Sequence, residues 1–269
     1  MHGMNWLLAA EAAAIVGLAA GPVARWARNY VHKLARPEAP GGSEPSGEPR
    51  PSASPELAEP SSAHERTAGL GAEDADTRAE WRPTLRHLWL LGPLPQAVLA
   101  LVTCGGAAWW GNRTGAQVPA ATTLPVLALL GVAASADAVA HILPNRLLGC
   151  ASGWLMLCGG GAIAMTPALA HNALRAVLCA LGAGAISLLA ALMRTGLGLG
   201  DVKLCAVIGL WLGWYGAMMP VLGLWIGIMA GGIGALALLT LRRAGRKDPM
   251  AYGPYLILGS FMAWPLAVL

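Results

Sequence analysis

Charge is the property this chain most lacks. Of its 269 residues, 12% are Asp, Glu, Lys or Arg, while 56% are hydrophobic. Soluble domains carry about twice that charge. With a mean hydropathy of +0.55, the composition excludes an ordinary soluble protein and points to a polytopic membrane protein. Acids are scarcer still where the chain is apolar. Ten of the 14 lie between Glu38 and Glu80 and one more, Asp248, sits in a late polar loop. Only Glu11, Asp137 and Asp201 remain beside long apolar segments. Paired cysteine motifs are missing as well. Cys104, Cys150, Cys158, Cys179 and Cys205 form no C-x-x-C, so neither a zinc site nor a disulfide framework is indicated. Small apolar packing residues are the expectation for all five, and no metal or cofactor is expected. The net charge of +4 is confined to loops that flank apolar segments, which speaks against nucleic acid as a partner. The first apolar stretch has no basic residues before it, whereas Arg25, Arg28, Lys33 and Arg36 follow it. That order fits a retained first membrane helix with its N-terminus outside rather than a cleaved signal peptide.

What is present is an all-α pattern. Eight apolar segments predict membrane helices at about 5–22, 93–111, 121–140, 147–166, 170–193, 203–219, 221–241 and 252–269, each expected to cross roughly 30 Å of hydrocarbon. Pro220 is the only punctuation between the sixth and seventh. The 35 glycines suit close helix packing in lipid, which is the expected surrounding of these helices. Residues 37–80 are rich in Pro, Ser, Glu and Gly and nearly free of aliphatic side chains, so a disordered segment is expected there. Trp81 to Leu91 reads as an interfacial stretch leading into the second helix. The chain thus divides into a first helix (1–22), a largely disordered loop (23–92) and a seven-helix domain (93–269). With the N-terminus outside, all of the 18 Lys and Arg except Arg113 and Arg175 fall on the inner side. The same topology places Asp137 and Asp201 together on the cytoplasmic side, although nothing in the charge count requires it.

An ionisable group at the edge of a membrane segment is costly and so marks a candidate site. Asp137, seven residues before Pro144-Asn145, is compatible with a helix cap as well as with chemistry. Asp201 ends the run Gly196-Leu197-Gly198-Leu199-Gly200, whose glycines remove side chains next to the acid and allow a close backbone approach. A simple turn with Asp201 as N-cap is the alternative. Two carboxylates sharing a site divide their protonation, so one takes a proton from water while the other donates. That chemistry suits peptide hydrolysis. A proton pathway in a transporter, or a catalytically silent scaffold, would use the same residues differently. Lys203 favours an ionised Asp201 if the side chains meet, or else anchors at the headgroups. Pro144-Asn145 predicts a turn. His141 is expected to be an interfacial histidine rather than a metal ligand, and Glu11 to face a cavity or bond a neighbouring helix.

These motifs resemble those of the type IV prepilin peptidases. Gly198-Leu199-Gly200-Asp201-Val202-Lys203-Leu204, followed by Gly209 and Leu212-Gly213-Trp214, is similar to the family's second aspartate motif. Asp137 with Ile142-Leu143-Pro144-Asn145 is similar to the first. Tyr252-Gly253-Pro254-Tyr255-Leu256 resembles the Phe-Gly-Pro segment before the last helix, and Gly17-Leu18-Ala19-Ala20-Gly21 weakly matches an N-terminal glycine pattern. The resemblance implies an aspartyl endopeptidase of the inner or plasma membrane. It would cut the basic leader from prepilins or type II secretion pseudopilins at the cytoplasmic face. Asp137 and Asp201 would be its catalytic pair, and Gly198, Gly200, Lys203, Pro144, Asn145, Gly253 and Pro254 would shape the site. One departure stands out. Many bacterial members carry a zinc-binding paired-Cys domain between helices one and two, associated with N-methylation, whereas that interval has no cysteine here. Methyltransferase activity is therefore expected to be absent or supplied elsewhere. Pro167-Ala168-Leu169 also occurs in presenilin-like proteases, but there it follows the second aspartate. Here it precedes Asp201 and reads as a loop and helix start.

Overall fold

The computed structural model describes residues 5–35, 88–193, 198–241 and 251–269. The chain divides into two compact units, Met1–Val31 with Leu85–Leu269, and His32–Thr84. Only the last few residues of one helix are described in the second unit, and the segment expected to be disordered, 37–80, lies outside the described residues.

The described residues form nine α-helices: α1 (Asn5–Leu18), α2 (Ala24–Ala35), α3 (Pro93–Thr114), α4 (Gln117–Ala140), α5 (Asn145–Met165), α6 (Ala170–Leu192), α7 (Leu199–Gly213), α8 (Met218–Thr240) and α9 (Gly253–Ala267). The first helix does not stop at Pro22. It widens into a π-helical turn over Ala19–Val23 and continues as α2. Proline lacks an N–H and its ring crowds the carbonyl four residues back, and a π turn absorbs that defect without ending the helix. Arg25 Nε donates to the Gly21 carbonyl at 3.3 Å in the same turn. Pro220 is not the break between the sixth and seventh expected helices either. The chain turns at Trp214–Ala217, and Pro220 lies in the first turn of α8, where its missing N–H would have no partner anyway.

Among the described residues, five helical spans are long and apolar enough to cross a membrane: 6–33, α4, α5, 167–192 and 218–237. The protein is therefore an all-α, polytopic membrane protein. The other three of the eight expected segments correspond to α3, α7 and α9. α3 is long enough but less apolar, and α7 and α9 have only 15 residues each, about 22 Å of helix. α4 is the central helix, with 72% of its span buried against 11–22% for the other four. Its run of Ala, Gly, Ser, Leu and Val packs on every side. Glycines set the closest approaches. A Cβ on Gly209 would lie 2.6 Å from the Cys179 carbonyl of α6, and one on Gly227 would lie 2.8 Å from Leu256 Cα of α9. Such seams let backbones come together where lipid offers no hydrophobic drive. α5 and α6 each pack on α7 rather than along one another.

Candidate active site

Asp137 lies in the last turn of α4 and is 6% exposed. A carboxylate at a helix C-terminus faces the negative end of the helix dipole, so it needs donors from elsewhere. The N-terminus of α9 provides one: Gly253 N–H donates to Asp137 Oδ2 at 3.0 Å across 116 residues of chain. Gly253 is the first residue of α9 and Pro254 the second, where a missing N–H costs nothing. A Cβ on Gly253 would fall 2.6 Å from Asp137 Oδ2, so glycine is what lets this helix end reach the acid.

Asp201 is placed differently. It is the third residue of α7 and 8% exposed, at the positive end of its own helix. The N-cap is Gly198, not Asp201. Gly198 N–H donates to Asp201 Oδ2 at 3.2 Å, and the Gly198 carbonyl accepts from Asp201 N–H at 3.0 Å. Asp201 Oδ1 is buried and has no hydrogen-bond partner among the described residues.

The loop between α4 and α5 joins these pieces. His141 ends α4 with φ 53°, in the left-handed region that histidine tolerates better than branched residues, and its N–H donates to the Asp137 carbonyl at 2.8 Å. Leu143 then packs over Gly200, where an added Cβ would meet Leu143 Cβ at 3.1 Å. Pro144 caps α5, its carbonyl accepting from Leu147 N–H at 3.0 Å. Asn145 Oδ1 accepts from Lys203 Nζ at 2.9 Å. The described partner of Lys203 is thus the first residue of α5, not Asp201. The nine candidate residues therefore gather at the ends of α4, α7 and α9 and the start of α5. Glu11 stays on α1, half-buried. Pro167-Ala168-Leu169 forms the 3-10 turn that leads into α6.

Two features escaped the sequence reading. Leu143 is one, since nothing marks an aliphatic loop residue as the lid over Gly200. The other is a buried bond between the aspartate-bearing helices, Trp211 Nε1–H to Thr123 Oγ1 at 3.1 Å. Neither residue stands in a motif that would reveal the contact. Among the described residues, no three His, Cys, Asp or Glu side chains converge on a point that could hold a metal.

The model of the type IV leader peptidase family matches residues 124–267, more than half of the sequence. The chain belongs to the type IV leader peptidase family. That match begins in α4 and ends in α9, so it takes in both aspartates and the Gly253-Pro254 helix start. Curated relatives of this chain include two named prepilin leader peptidase/N-methyltransferase. The one from Aeromonas salmonicida (strain A449) is 36% identical over 70 residues, which is 26% of this chain and 23% of the relative. The one from Aeromonas hydrophila is 34% identical over the same shares. The aligned stretch thus spans less than a quarter of either relative's length. No solved structure matches.

Proposed function

We propose that this chain is a membrane aspartyl endopeptidase that removes the basic leader from type IV prepilins or type II secretion pseudopilins. The observation that carries the reading is the pairing of two buried carboxyls. Each takes one glycine N–H on one oxygen, and Asp201 Oδ1 is left over. Two carboxyls that serve one site divide a proton between them. The ionised member draws a proton from water as the water attacks the scissile carbonyl, the protonated member donates its proton to the carbonyl oxygen, and the proton drawn from water then passes to the leaving amine as the C–N bond breaks. The glycine N–H bonds fix one oxygen of each acid and leave the other oxygens for this exchange.

The membrane arrangement follows from charge. With the N-terminus outside, the basic loops and the aspartate layer lie on the cytoplasmic side, where a basic leader is presented. The cysteine-free interval 23–92 argues for cleavage without N-methylation. The intact mass of a prepilin co-expressed with this protein tests all of this. Leader loss with wild type, and none with Asp137→Asn or Asp201→Asn, is the expected result. Added methyl on the new amino terminus would overturn the methylation part alone. A cognate prepilin left whole by wild type, with the enzyme present in the membrane, would sink the peptidase reading.

A further inference from the structure

Because α5 and α6 lean on α7 and not on each other, a trench opens between them with α7 as its floor. It holds two cavities. One, of 560 Å³, begins at Asn145 and Lys203, and the other, of 350 Å³, ends at Trp214 and Tyr215. They share Met156, Val177 and Leu210, so the trench is continuous. Along α5 it runs from Asn145 to Ile163, about 27 Å at the helical rise and close to the thickness of the bilayer core. Asn145 and Lys203 stand at one end, and Thr122, Trp214 and Tyr215 at the other. We propose that this trench receives an apolar helix of the substrate, one that begins a few residues after the scissile bond. This rests on the peptidase reading above.

Three observations select a helix as the occupant. The trench matches a membrane-spanning helix in length. Its α5 wall exposes bare backbone: a Cβ on Gly149 or Gly160 would meet nothing within 4 Å. Open glycines are what a second helix needs for close approach, whereas an acyl chain has no use for them. Lastly, the trench is continuous with the candidate site at one end only. Lys203 lies two residues from Asp201, on the other side of α7, and α7 begins at Leu199. A chain leaving the trench therefore passes over the first turn of α7 to reach the aspartates. Crossing one helix diameter takes about three or four extended residues, which sets the interval between the scissile bond and the start of the seated helix.

The test uses the full chain carrying Asp137→Asn, with a photoreactive side chain replacing Met156 or Leu181 in the trench, or Ile233 on α8 as control. Met156, Leu181 and Ile233 are all exposed. Adducts with uncut prepilin from the two trench positions and not from Ile233 are expected. Adducts with lipid or a second copy instead, or equal adducts from Ile233, would overturn the inference. Kinetics give an independent arm. Gly149→Leu has room to fold and is expected to raise KM for full-length prepilin about tenfold at unchanged kcat, the signature of lost uniform binding. The same variant should cut a short leader peptide without the apolar helix as well as wild type does. Equal loss on both substrates, or on neither, refutes the trench while leaving the peptidase intact. If wild type cuts neither substrate, the peptidase reading fails and the inference goes with it.

Discussion

At the residue scale, the glycines around the aspartates are not equivalent, and the structure ranks them. Gly253 stands where a Cβ would press on Asp137 Oδ2 at 2.6 Å, Gly200 where it would push Leu143 at 3.1 Å, and Gly198 where it would touch Asp201 Oδ2 at an ordinary 3.7 Å. Gly198 also has φ −78° and ψ 154°, which any residue adopts. Gly253→Ala must shift the α9 start or rotate the carboxyl, and a misplacement near 1 Å costs on the order of 100-fold in rate. Gly200→Ala presses on Leu143 Cβ and Cδ1 at 3.1 and 3.2 Å, which a shift of a few tenths of an ångström relieves, so a loss of about tenfold is expected, in the milder part of the same range. Gly198→Ala leaves the N–H to Asp201 in place and should stay within about threefold of wild type, since backbone capping survives the change. Initial cleavage rates of one prepilin by the three variants in membranes check the order. Equal losses at Gly198 and Gly253 would mean that the N–H contacts do not position the acids.

At the element scale, α7 and α9 are short because each starts at the level of the aspartates, with an N-terminus aimed at a carboxyl. Their remaining stability comes from glycine seams. A Cβ at Gly259 would collide with Gly227 N and the Gly223 carbonyl across the α8–α9 seam. Gly259→Ala should therefore destabilise the fold by about 1–3 kcal/mol, the usual cost of overpacking. Gly232→Ala, with nothing within 4 Å, should leave the thermal midpoint in detergent unchanged or slightly raised, since alanine is the better helix former. Equal midpoints for the two variants would count against the seam. The helices themselves were legible in the sequence, because long apolar runs have few other solutions in a membrane. Their ends were not. Pro22 and Pro220 read as breaks, yet one is absorbed by a π turn and the other by a first turn with orphan N–H groups. The site was legible as two acids and a Gly-Pro segment because those residue types are rare in apolar chain. The donor role of Gly253 and the cover of Leu143 over Gly200 depend on contacts between distant segments, which spacing alone does not encode.

At the scale of the whole molecule, the proposed orientation turns on how two exceptional arginines are used. Arg175 is not a free topological charge: its guanidinium donates to the Gly213 carbonyl at 2.9 Å, to the Trp214 carbonyl and to Asn172 Oδ1. It thus closes the C-terminus of α7, where a cation also meets the negative end of the helix dipole. Arg113 lies 5.6 Å over the ring of Trp109, a cation–π contact that suits the headgroup zone on either face. Neither arginine opposes an N-terminus-outside topology, and the remaining basic loops favour it. Single cysteines in a cysteine-free background test this directly. Thr114, Thr166 and Arg146 are all exposed. A membrane-impermeant maleimide on intact cells should label Thr114→Cys and Thr166→Cys, and should reach Arg146→Cys only after permeabilisation. The reverse pattern would put the aspartate layer on the outer face, where a cytoplasmic leader never arrives, and would leave the buried acids to a different chemistry.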